Sequence, residues 1–310
     1  MIRIEAVDAS TASDDTLRTI VRIEETCVPQ EWRAEDDAVA FMRHPPGGDQ
    51  RLHWLAFDDD EPVGMMRLIV PAESQLLWSH LRVLPEHRRR GIGRALLAAA
   101  RDVAAGRAIG GHHQSADGAA FARAVGARDE LRDVSSRLDL RAASLPEPKL
   151  PGGCTLRSWI GPAPGELVES FAVARNAVDD APQPEGQTLA VWTVELVRDL
   201  EAAVERRGRE LRVTVALAGD QVVAYTELRV SRPPSYWATT EETATVAEHR
   251  GKGLSQAVKT ESLRLLRADR PDVEAVQTLN AEENAAMRAV NTKLGFVPVV
   301  TLTTAVLRAS

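Results

Sequence analysis

The 310-residue sequence predicts a mixed α/β fold made of two tandem domains, each a mixed, mostly antiparallel sheet flanked by helices. Three observations carry that expectation. The chain is longer than one core usually serves, and domains of about 150 residues are the norm. Residues 85–97, PEHRRRGIGRALL, recur in near copy at 247–259 as AEHRGKGLSQAVK, an internal repeat spanning half the chain. Between the copies, RAASLPEPKLPGG (141–153) holds three prolines and a glycine pair and follows neither a helical nor a strand period. Such a stretch reads as a linker, because proline removes donors and glycine removes restraint. The expected division is a first domain over 1–142, a linker over 143–153 and a second domain over 154–310.

Each element has its own signal. In the first half, Ile2–Ala6 is extended, and SDDTLRTIVRIEETC is a helix that Ser13 and Asp14 can cap. RAEDDAVAFMRH is a second helix. RLHWLAF and VGMMRLIV flank the turn-rich DDDEP and form a hairpin. LLWSHLRVLP is the fourth strand, GIGRALLAAARDVAAG a helix, AIGGHH a strand, GAAFARAVGA a short helix and LRDVSSRLDL the last strand. The second half repeats the order. TLRSWI is a strand, ELVESFAVARNAV and TVELVRDLEAAVERRG are helices, and LRVTVALAGDQVVAYTELRV is a hairpin turning at AGDQ. TEETATV is the fourth strand, GLSQAVKTESLRLLRAD a helix, and VEAVQTLN, AEENAAMRAVNTKLG and FVPVVTLTTAVL supply strand, helix and strand. Both halves therefore read β-α-α-β-β-β-α-β-α-β.

Composition narrows the function classes. Hydrophobic residues at 44% and charged residues at 27% describe an ordinary globular chain. A net charge of −7 argues against a general nucleic-acid binder. MIRIEAVDAS lacks the basic and apolar regions of a secretory signal, and no apolar run approaches the roughly 20 residues of a membrane span. A cytoplasmic location without membrane association is expected. Cys27 and Cys154 stand outside any CxxC spacing and read as incidental thiols. His112 and His113 do not have a metal-ligand spacing, and no metal is expected.

The chemistry lies where the fourth strand hands over to a helix. A helix N-terminus has about four unpaired N–H groups and the positive dipole end, which suit phosphate. Glycines at Gly91 and Gly93, or Gly251 and Gly253, let the backbone approach a bulky anion. Arg88, Arg89 and Arg90, or Arg250 and Lys252, add charge at the mouth. The ligand should carry a di- or triphosphate. A Walker A loop needs GxxxxGK[ST], which neither copy has. A Rossmann loop follows the first strand with GxGxxG spacing, whereas here it follows the fourth.

Arg88-Arg89-Arg90-Gly91-Ile92-Gly93 resembles motif A, Q/R-x-x-G-x-G/A, of the GNAT superfamily of acyl-CoA N-acyltransferases. Arg250-Gly251-Lys252-Gly253-Leu254-Ser255 is similar, with serine last. FARAVGA (121–127) and MRAVNTKLGF (287–296) resemble the family's closing helix, so the likeness covers both halves. The tandem layout is similar to actinobacterial mycothiol synthases and to tandem acyltransferases of specialised metabolism. The resemblance implies that the loops hold the pyrophosphate of acetyl-CoA. It also implies a splayed or bulged fourth strand, Leu81 to Val83 or Thr243 through Thr245 to Val246, whose freed backbone binds pantetheine. Backbone N–H groups near Leu81 or Thr243 would polarise the thioester.

Acyl transfer to an amine needs a proton acceptor. In the second half Glu241 and Glu242 lie on the fourth strand, while the first half has His80 where Glu242 stands. The family's common general acid is a tyrosine four residues before the glycine of the closing helix; Ala122 and Asn291 occupy that position. Asn280, Asn284 and Asn291 could bond coenzyme or substrate amides, whereas the first half has Gly111, Ser115 and Ala122 there. Asn280 could equally cap a helix. His87 and His249 are expected to shape the loops, and Tyr236 and Trp237 could border the acceptor cleft. The expected activity is acetyl-CoA-dependent N-acetylation of a small-molecule primary amine by direct attack in a ternary complex, catalysed by the second half. The alternatives are acetylation of a cysteinyl amine, as in mycothiol synthesis, and acyl-CoA binding without turnover.

Overall fold

The computed structural model describes residues 1–28, 35–43, 50–71, 74–177, 184–231 and 236–308. Parts of the second predicted helix fall outside them. The first ten elements are β1 (Ile2–Val7), α1 (Asp14–Cys27), α2 (Glu35–Arg43), β2 (Gln50–Asp58), β3 (Glu61–Val70), β4 (Leu76–Val83), α3 (Ile92–Ala104), β5 (Ala108–His113), α4 (Ala116–Val125) and β6 (Arg128–Asp139). The next ten are β7 (Cys154–Ile160), α5 (Val168–Arg175), α6 (Val194–Arg206), β8 (Arg209–Ala218), β9 (Gln221–Ser231), β10 (Trp237–Thr245), α7 (Leu254–Asp269), β11 (Ala275–Ala281), α8 (Ala285–Leu294) and β12 (Val297–Leu307). The mixed α/β order agrees element by element with the sequence reading.

Local chemistry explains the elements. In α1, Ser13 accepts from the Thr16 N–H, and Asp14 and Asp15 sit at the positive end of the dipole. Ser13 alone makes the side-chain cap for which Asp14 was an alternative. Leu17, Ile20 and Val21 then fall on one stripe and are buried. Both hairpins turn through a positive-φ residue, Asp59 at 53° and Gly219 at 61°. Both also shift register two strand residues before the turn, at Ala56/Phe57 and at Ala216/Leu217. The repeat therefore extends to backbone irregularities.

The chain forms two compact units, and their boundaries depart from the expected linear cut. Unit 1 contains the described residues of Met1–Leu131, Gln183–Thr188 and Thr303–Ser310, and unit 2 contains those of Arg132–Pro182 and Leu189–Leu302. The strand order is β1-β2-β3-β4-β5-β12 in unit 1 and β6-β11-β10-β9-β8-β7 in unit 2. Each half thus contributes part of its last strand to the other unit, Thr303–Leu307 of β12 to unit 1 and Arg132–Asp139 of β6 to unit 2. β12 pairs antiparallel with β5 from Thr303↔His113 to Leu307↔Ile109, and β6 pairs antiparallel with β11 from Asp139↔Ala275 to Asp133↔Ala281. Two strands with the same place in a repeat can be exchanged without changing the pattern, so periodicity cannot show which partner each takes.

Helices cover both faces of each sheet. In unit 1, Leu17, Ile20, Val39 and Met42 pack on Leu55 and Met65 on one face, while Leu96, Leu97 and Ala100 pack on Trp54, Met66 and Leu68 on the other. In unit 2, Phe171, Val197 and Val204 meet Val213, Val215 and Tyr225, and Leu263, Leu266 and Leu294 meet Leu228, Val230 and Val276. Among the described residues no helix is long and apolar enough to cross a membrane.

One core position works against stability. Lys259 on α7 is 2% exposed, lies 5.3 Å from the Phe296 ring, and burial lowers its pKa to about 7. Below pH 7 the ammonium is charged in both states and its burial cost is fully present. As pH rises from about 7 towards the unfolded value of 10.5, the folded amine is neutral while the unfolded one still binds a proton. Stability should therefore rise across that window, by up to about 1.4 kcal/mol per pH unit. Denaturant titrations at pH 7, 8 and 9 should show that rise in the wild type and lose it in Lys259→Met, which should also be the more stable protein at pH 7. Equal slopes in the two proteins would refute the assignment.

Candidate active site

In unit 2, β10 and β11 run parallel and pair only from Trp237↔Ala275 to Thr240↔Thr278. Beyond Thr240 that ladder stops, so the β11-facing edge of residues 241–245 has no strand partner among the described residues. On its other side β10 pairs with β9 but shifts register between Thr240 and Thr243. In unit 1, β4 and β5 likewise part after Ser79↔Gly111, but β4 follows β3 without a shift from Ile69↔Trp78 to Gly64↔Val83. Both fourth strands splay, as expected, and only the second is bulged.

Each splayed strand runs through a single 3-10 turn, Pro85–His87 or Ala247–His249, into a glycine-led helix. The first arginine of each loop is spent on this handover. Arg88 Nε donates to the Val83 carbonyl at 3.2 Å, and Arg250 Nε donates to the Thr245 carbonyl at 3.0 Å. Val246 N–H also donates to the Val223 carbonyl at 2.9 Å, fastening the strand end to β9. Arg88 pairs with Asp117 at 2.9 Å, while Arg90 pairs with Asp58 at 2.5 Å and contacts His87 Nδ1 at 3.2 Å. His87 thus shapes its loop. Arg89 is exposed, and Lys252 Nζ donates to the Glu248 carbonyl at 3.1 Å.

The left-handed backbone falls at equivalent places, Arg89 (64°) and Gly91 (84°) in unit 1 and Gly251 (72°) and Gly253 (80°) in unit 2. Only glycine takes this conformation without strain, so the second loop is the more relaxed. Gly91 and Gly253 are the N-caps of α3 and α7 and offer no capping side chain. By contrast Ser13, Ser115, Thr193 and Asn284 cap α1, α4, α6 and α8. A Cβ at Gly91, Gly251 or Gly253 would meet nothing within 4 Å, so these loops present bare backbone on an open side. Uncapped N–H groups behind an open glycine face suit the pyrophosphate of a coenzyme.

Other predicted loop positions serve packing. Ile92 and Leu254 are each 1% exposed and anchor their helices in the core. Leu81 and Val83 are partly buried against the α3 face. Gly93 has ordinary φ, and a Cβ there would lie 3.0 Å from the Phe121 ring; close approach of α4 requires it. Its counterpart Ser255 bonds Thr245 Oγ1 at 2.8 Å, and Thr243 Oγ1 meets Thr226 Oγ1 at 2.7 Å.

The bulge places Glu241 and Glu242 together. Thr243 and Thr245 turn towards Thr226 and α7, whereas Glu242 reaches the opposite face. Its Oε2 accepts from Arg175 Nη2 and from the Tyr225 hydroxyl, both at 2.9 Å. Glu241 Oε2 lies 3.3 Å from Arg229 Nη1. Tyr225, Glu227 and Arg229 alternate along β9 and share one face, so consecutive residues of β10 both engage that face. A regular strand would send them to opposite sides. Arg175 is 1% exposed, also pairs with Glu227 (0% exposed), and lies 3.6 Å over the Trp192 ring. Burial lowers the Arg175 pKa, while Glu242 and Tyr225 oppose that shift. Glu242 and Glu241 keep side-chain exposures of 30% and 26%, so both reach solvent from an anchored frame.

The asparagines are structural in this geometry. Asn284 Oδ1 caps α8 by accepting from Met287 N–H at 3.0 Å, and Asn291, 4% exposed, donates to Asn280 Oδ1 at 2.6 Å. Asn291 therefore ties α8 to β11 where the family tyrosine would stand. Trp237 lies under Arg137 at 4.0 Å, and Tyr236 is 51% exposed. His112 stacks on Trp78 at 5.2 Å and His113 bonds Asp129 at 3.0 Å, so the adjacent histidines point to different partners. His80 Nδ1 is 3.9 Å from Glu24 Oε1. The reading of the fourth strand alone missed Arg175, Tyr225, Glu227 and Arg229. The signal was present in β9, where Tyr225, Glu227 and Arg229 alternate at period two.

A glycine-led helix after a splayed fourth strand is the architecture of an acyl-CoA transferase, and the comparisons agree. The profile of the Acetyltransferase (GNAT) family matches residues 17–121. Mycothiol acetyltransferase of Tsukamurella paurometabola is 32% identical over 224 residues, covering 69% of this chain and 72% of that protein. Mycothiol acetyltransferase of Nocardia farcinica is 31% identical over 254 residues, covering 79% of each chain. The tandem GNAT protein from the clavulanic acid biosynthesis pathway superposes with a TM-score of 0.83 at 26% identity, covering 100% of this chain and 99% of that one. A GCN5-related N-acetyltransferase from Sphaerobacter thermophilus shares the fold, with a TM-score of 0.73 at 16% identity, covering 99% and 96%. The chain belongs to the GNAT acetyltransferase family.

Proposed function

We propose that the chain moves an acetyl group from acetyl-CoA to the primary amine of a small molecule by direct attack in a ternary complex, and that unit 2 carries the reaction. The observation that supports this is the glutamate pair at the β10 bulge, beside a strand edge without a partner and one turn before an uncapped helix. Acetyl-CoA, when bound, supplies a thioester that an amine can attack. The residues present suit it. The backbone N–H groups of Gly253, Leu254 and Ser255 would face phosphate with the helix dipole behind them, and exposed Lys252 adds a charge. Gly251 and Gly253 keep the approach open, Arg250 holds the loop to the strand, and Thr243, Thr245 and Val246 offer backbone groups to the pantetheine amides. Backbone N–H groups near Thr243 polarise the acyl oxygen. Glu241 and Glu242 attract the ammonium form of the acceptor and accept its proton. In unit 1 the loop Arg88–Gly93, with Leu81 and Val83, is a second coenzyme cradle, with His80 in the place of Glu242.

Two relatives named mycothiol acetyltransferases favour a more specific acceptor, the amine of a cysteinyl group on a small molecule. The test is incubation of the full chain with acetyl-CoA and a panel of polyamines, aminoglycosides, amino acids, cysteinyl glycosides and lysine-containing peptides, followed by mass spectrometry. Acetylation of a small amine, with the cysteinyl glycoside as best substrate, is expected. Modification of peptide N-termini or lysines with no small amine touched would overturn the acceptor class.

A further inference from the structure

A row of polar side chains crosses four strands of unit 2. Arg137 of β6 stands opposite Gln277 of β11, Gln277 opposite Thr239 of β10, and Thr239 opposite Arg229 of β9. Cross-strand neighbours project from one face, and the side-chain contacts agree. Arg137 lies 4.0 Å over the Trp237 ring, Gln277 Nε2 donates to Ser135 Oγ at 2.8 Å, and Arg229 Nη1 is 3.3 Å from Glu241 Oε2. Trp237, Thr239 and Glu241 are alternate residues of β10, so the row shares the face of the glutamates.

Nothing in the fold requires it. The sister row in unit 1 runs Ile69, Trp78, Gly110 and Val306 through the same pairings of β3, β4, β5 and β12. That row holds no charge and no amide or hydroxyl side chain. In unit 2 the donors outnumber their partners. Arg137 pairs with no carboxylate among the described residues, and its Nε, like that of Arg229, is buried there without a hydrogen bond. Such donors cost stability unless an acceptor reaches them.

The row is open to solvent. Arg137, Gln277 and Thr239 are partly exposed, and Leu279, opposite Ser135 in the next row, is 43% exposed. The apolar cluster under α5 and α6 takes strand side chains from β7 to β10 and none from β11 or β6. Cover by those helices therefore stops short of Gln277 and Arg137, close to where β10 and β11 part after Thr240.

We propose that Arg137, Gln277 and Thr239 bind the oxygen-bearing body of the amine acceptor while its amine lies at Glu241 and Glu242. The inference rests on the reading of unit 2 as the acetylating half and names what that half recognises. Two residues along β10 and two strands across put the Arg137 backbone roughly 12 Å from that of Glu241. The acceptor therefore carries its oxygens a sugar ring or a peptide unit away from the amine. Guanidinium, carboxamide and hydroxyl groups offer donors that suit either sugar hydroxyls or a carboxylate. Because β6 comes from the first half of the sequence, the strand exchange lends the second half's reaction a specificity residue.

The test compares three primary amines: cysteinyl-glucosamine with hydroxyls, cysteinylglycine with a carboxylate, and cysteamine with neither. For each, kcat/KM with acetyl-CoA and calorimetric affinity for the coenzyme A-saturated full chain are measured in the wild type, Arg137→Met and Thr239→Val. The wild type should prefer an oxygen-bearing acceptor to cysteamine. Arg137→Met should reduce that preference about tenfold, the scale of one charge-assisted hydrogen bond. Thr239→Val should reduce it in the same direction, which keeps the test sound if one variant misfolds. General damage to the fold would lower all three acceptors alike and leave the ratio unchanged. Loss confined to cysteinyl-glucosamine identifies hydroxyls as the bound group, and loss confined to cysteinylglycine identifies a carboxylate; both uphold the proposal. Binding in this pattern without any acetylated product would refute the catalytic reading of unit 2 and uphold the recognition. An unchanged preference in both variants, or a wild type that takes cysteamine as well as the other two, would overturn the proposal.

Discussion

Glu242→Gln should lower acetyl-transfer turnover at neutral pH by a factor of about 10² or more, and Glu241→Gln should lower it in the same direction. His80→Ala should leave turnover close to wild type. The reason is that an amine, with an ordinary pKa of about 8 for an α-amino group and about 10 for an alkyl amine, is mostly protonated near pH 7 and cannot attack until the proton leaves. The bulge sets two carboxylates where the splayed strand would hold the thioester, and Gln keeps the shape while removing the base. The Gln carbonyl can still accept from Arg175 and Tyr225, so the fold should persist. As pH rises and free amine becomes abundant, the deficit should shrink. A deficit that stays constant across pH 7 to about 10 would show that the carboxylates do not act through the proton.

Arg175→Met should destabilise unit 2 by about 3–5 kcal/mol, because it leaves Glu227 as an unpaired charge in the interior. Glu227 is 0% exposed and Arg175 1% exposed, so water cannot compensate. Arg175 also meets the Trp192 face at 3.6 Å and is the principal cation at Glu242. The double variant Arg175→Met/Glu227→Leu should recover most of the loss, since a buried pair replaced by apolar residues of similar volume is often neutral. It should still turn over slowly, because Glu242 has lost the contact that positions it. Denaturant unfolding and steady-state kinetics on the same three proteins separate these effects. Recovery of stability together with wild-type turnover would show that Arg175 matters only to folding.

The order of elements and both phosphate-type loops were legible in the sequence because each rests on local signals, such as a cap at Ser13, a turn at Asp59 and glycines in an R-x-x-G-x-G spacing. The exchange of β6 and β12 was not legible, because both strands carry the same pattern and either sheet accepts either one. The linker over 141–153 therefore marks the repeat without marking the edge of a compact unit. The first loop arginines looked like phosphate cations, and their Nε groups also fasten strand ends, since a charge in a sequence does not show which carbonyl it meets. The glutamates on β10 were visible, but their partners Arg175 and Tyr225 come from elements 67 and 17 residues away in the chain. The bulge that brings the glutamates to one face is a register property, which only strand pairing reveals.

The assignment of catalysis to unit 2 is tested most directly by kcat/KM for acetyl-CoA in Gly91→Val and Gly253→Val, measured with one acceptor. Each substitution puts a β-branched side chain on a left-handed residue at an open loop face, so the two perturb equivalent backbone in the two units. A loss on the order of 2 kcal/mol, about 30-fold, is expected for Gly253→Val, with Gly91→Val close to wild type. A 30-fold loss in Gly91→Val with Gly253→Val unaffected would contradict the account and place the reaction in unit 1.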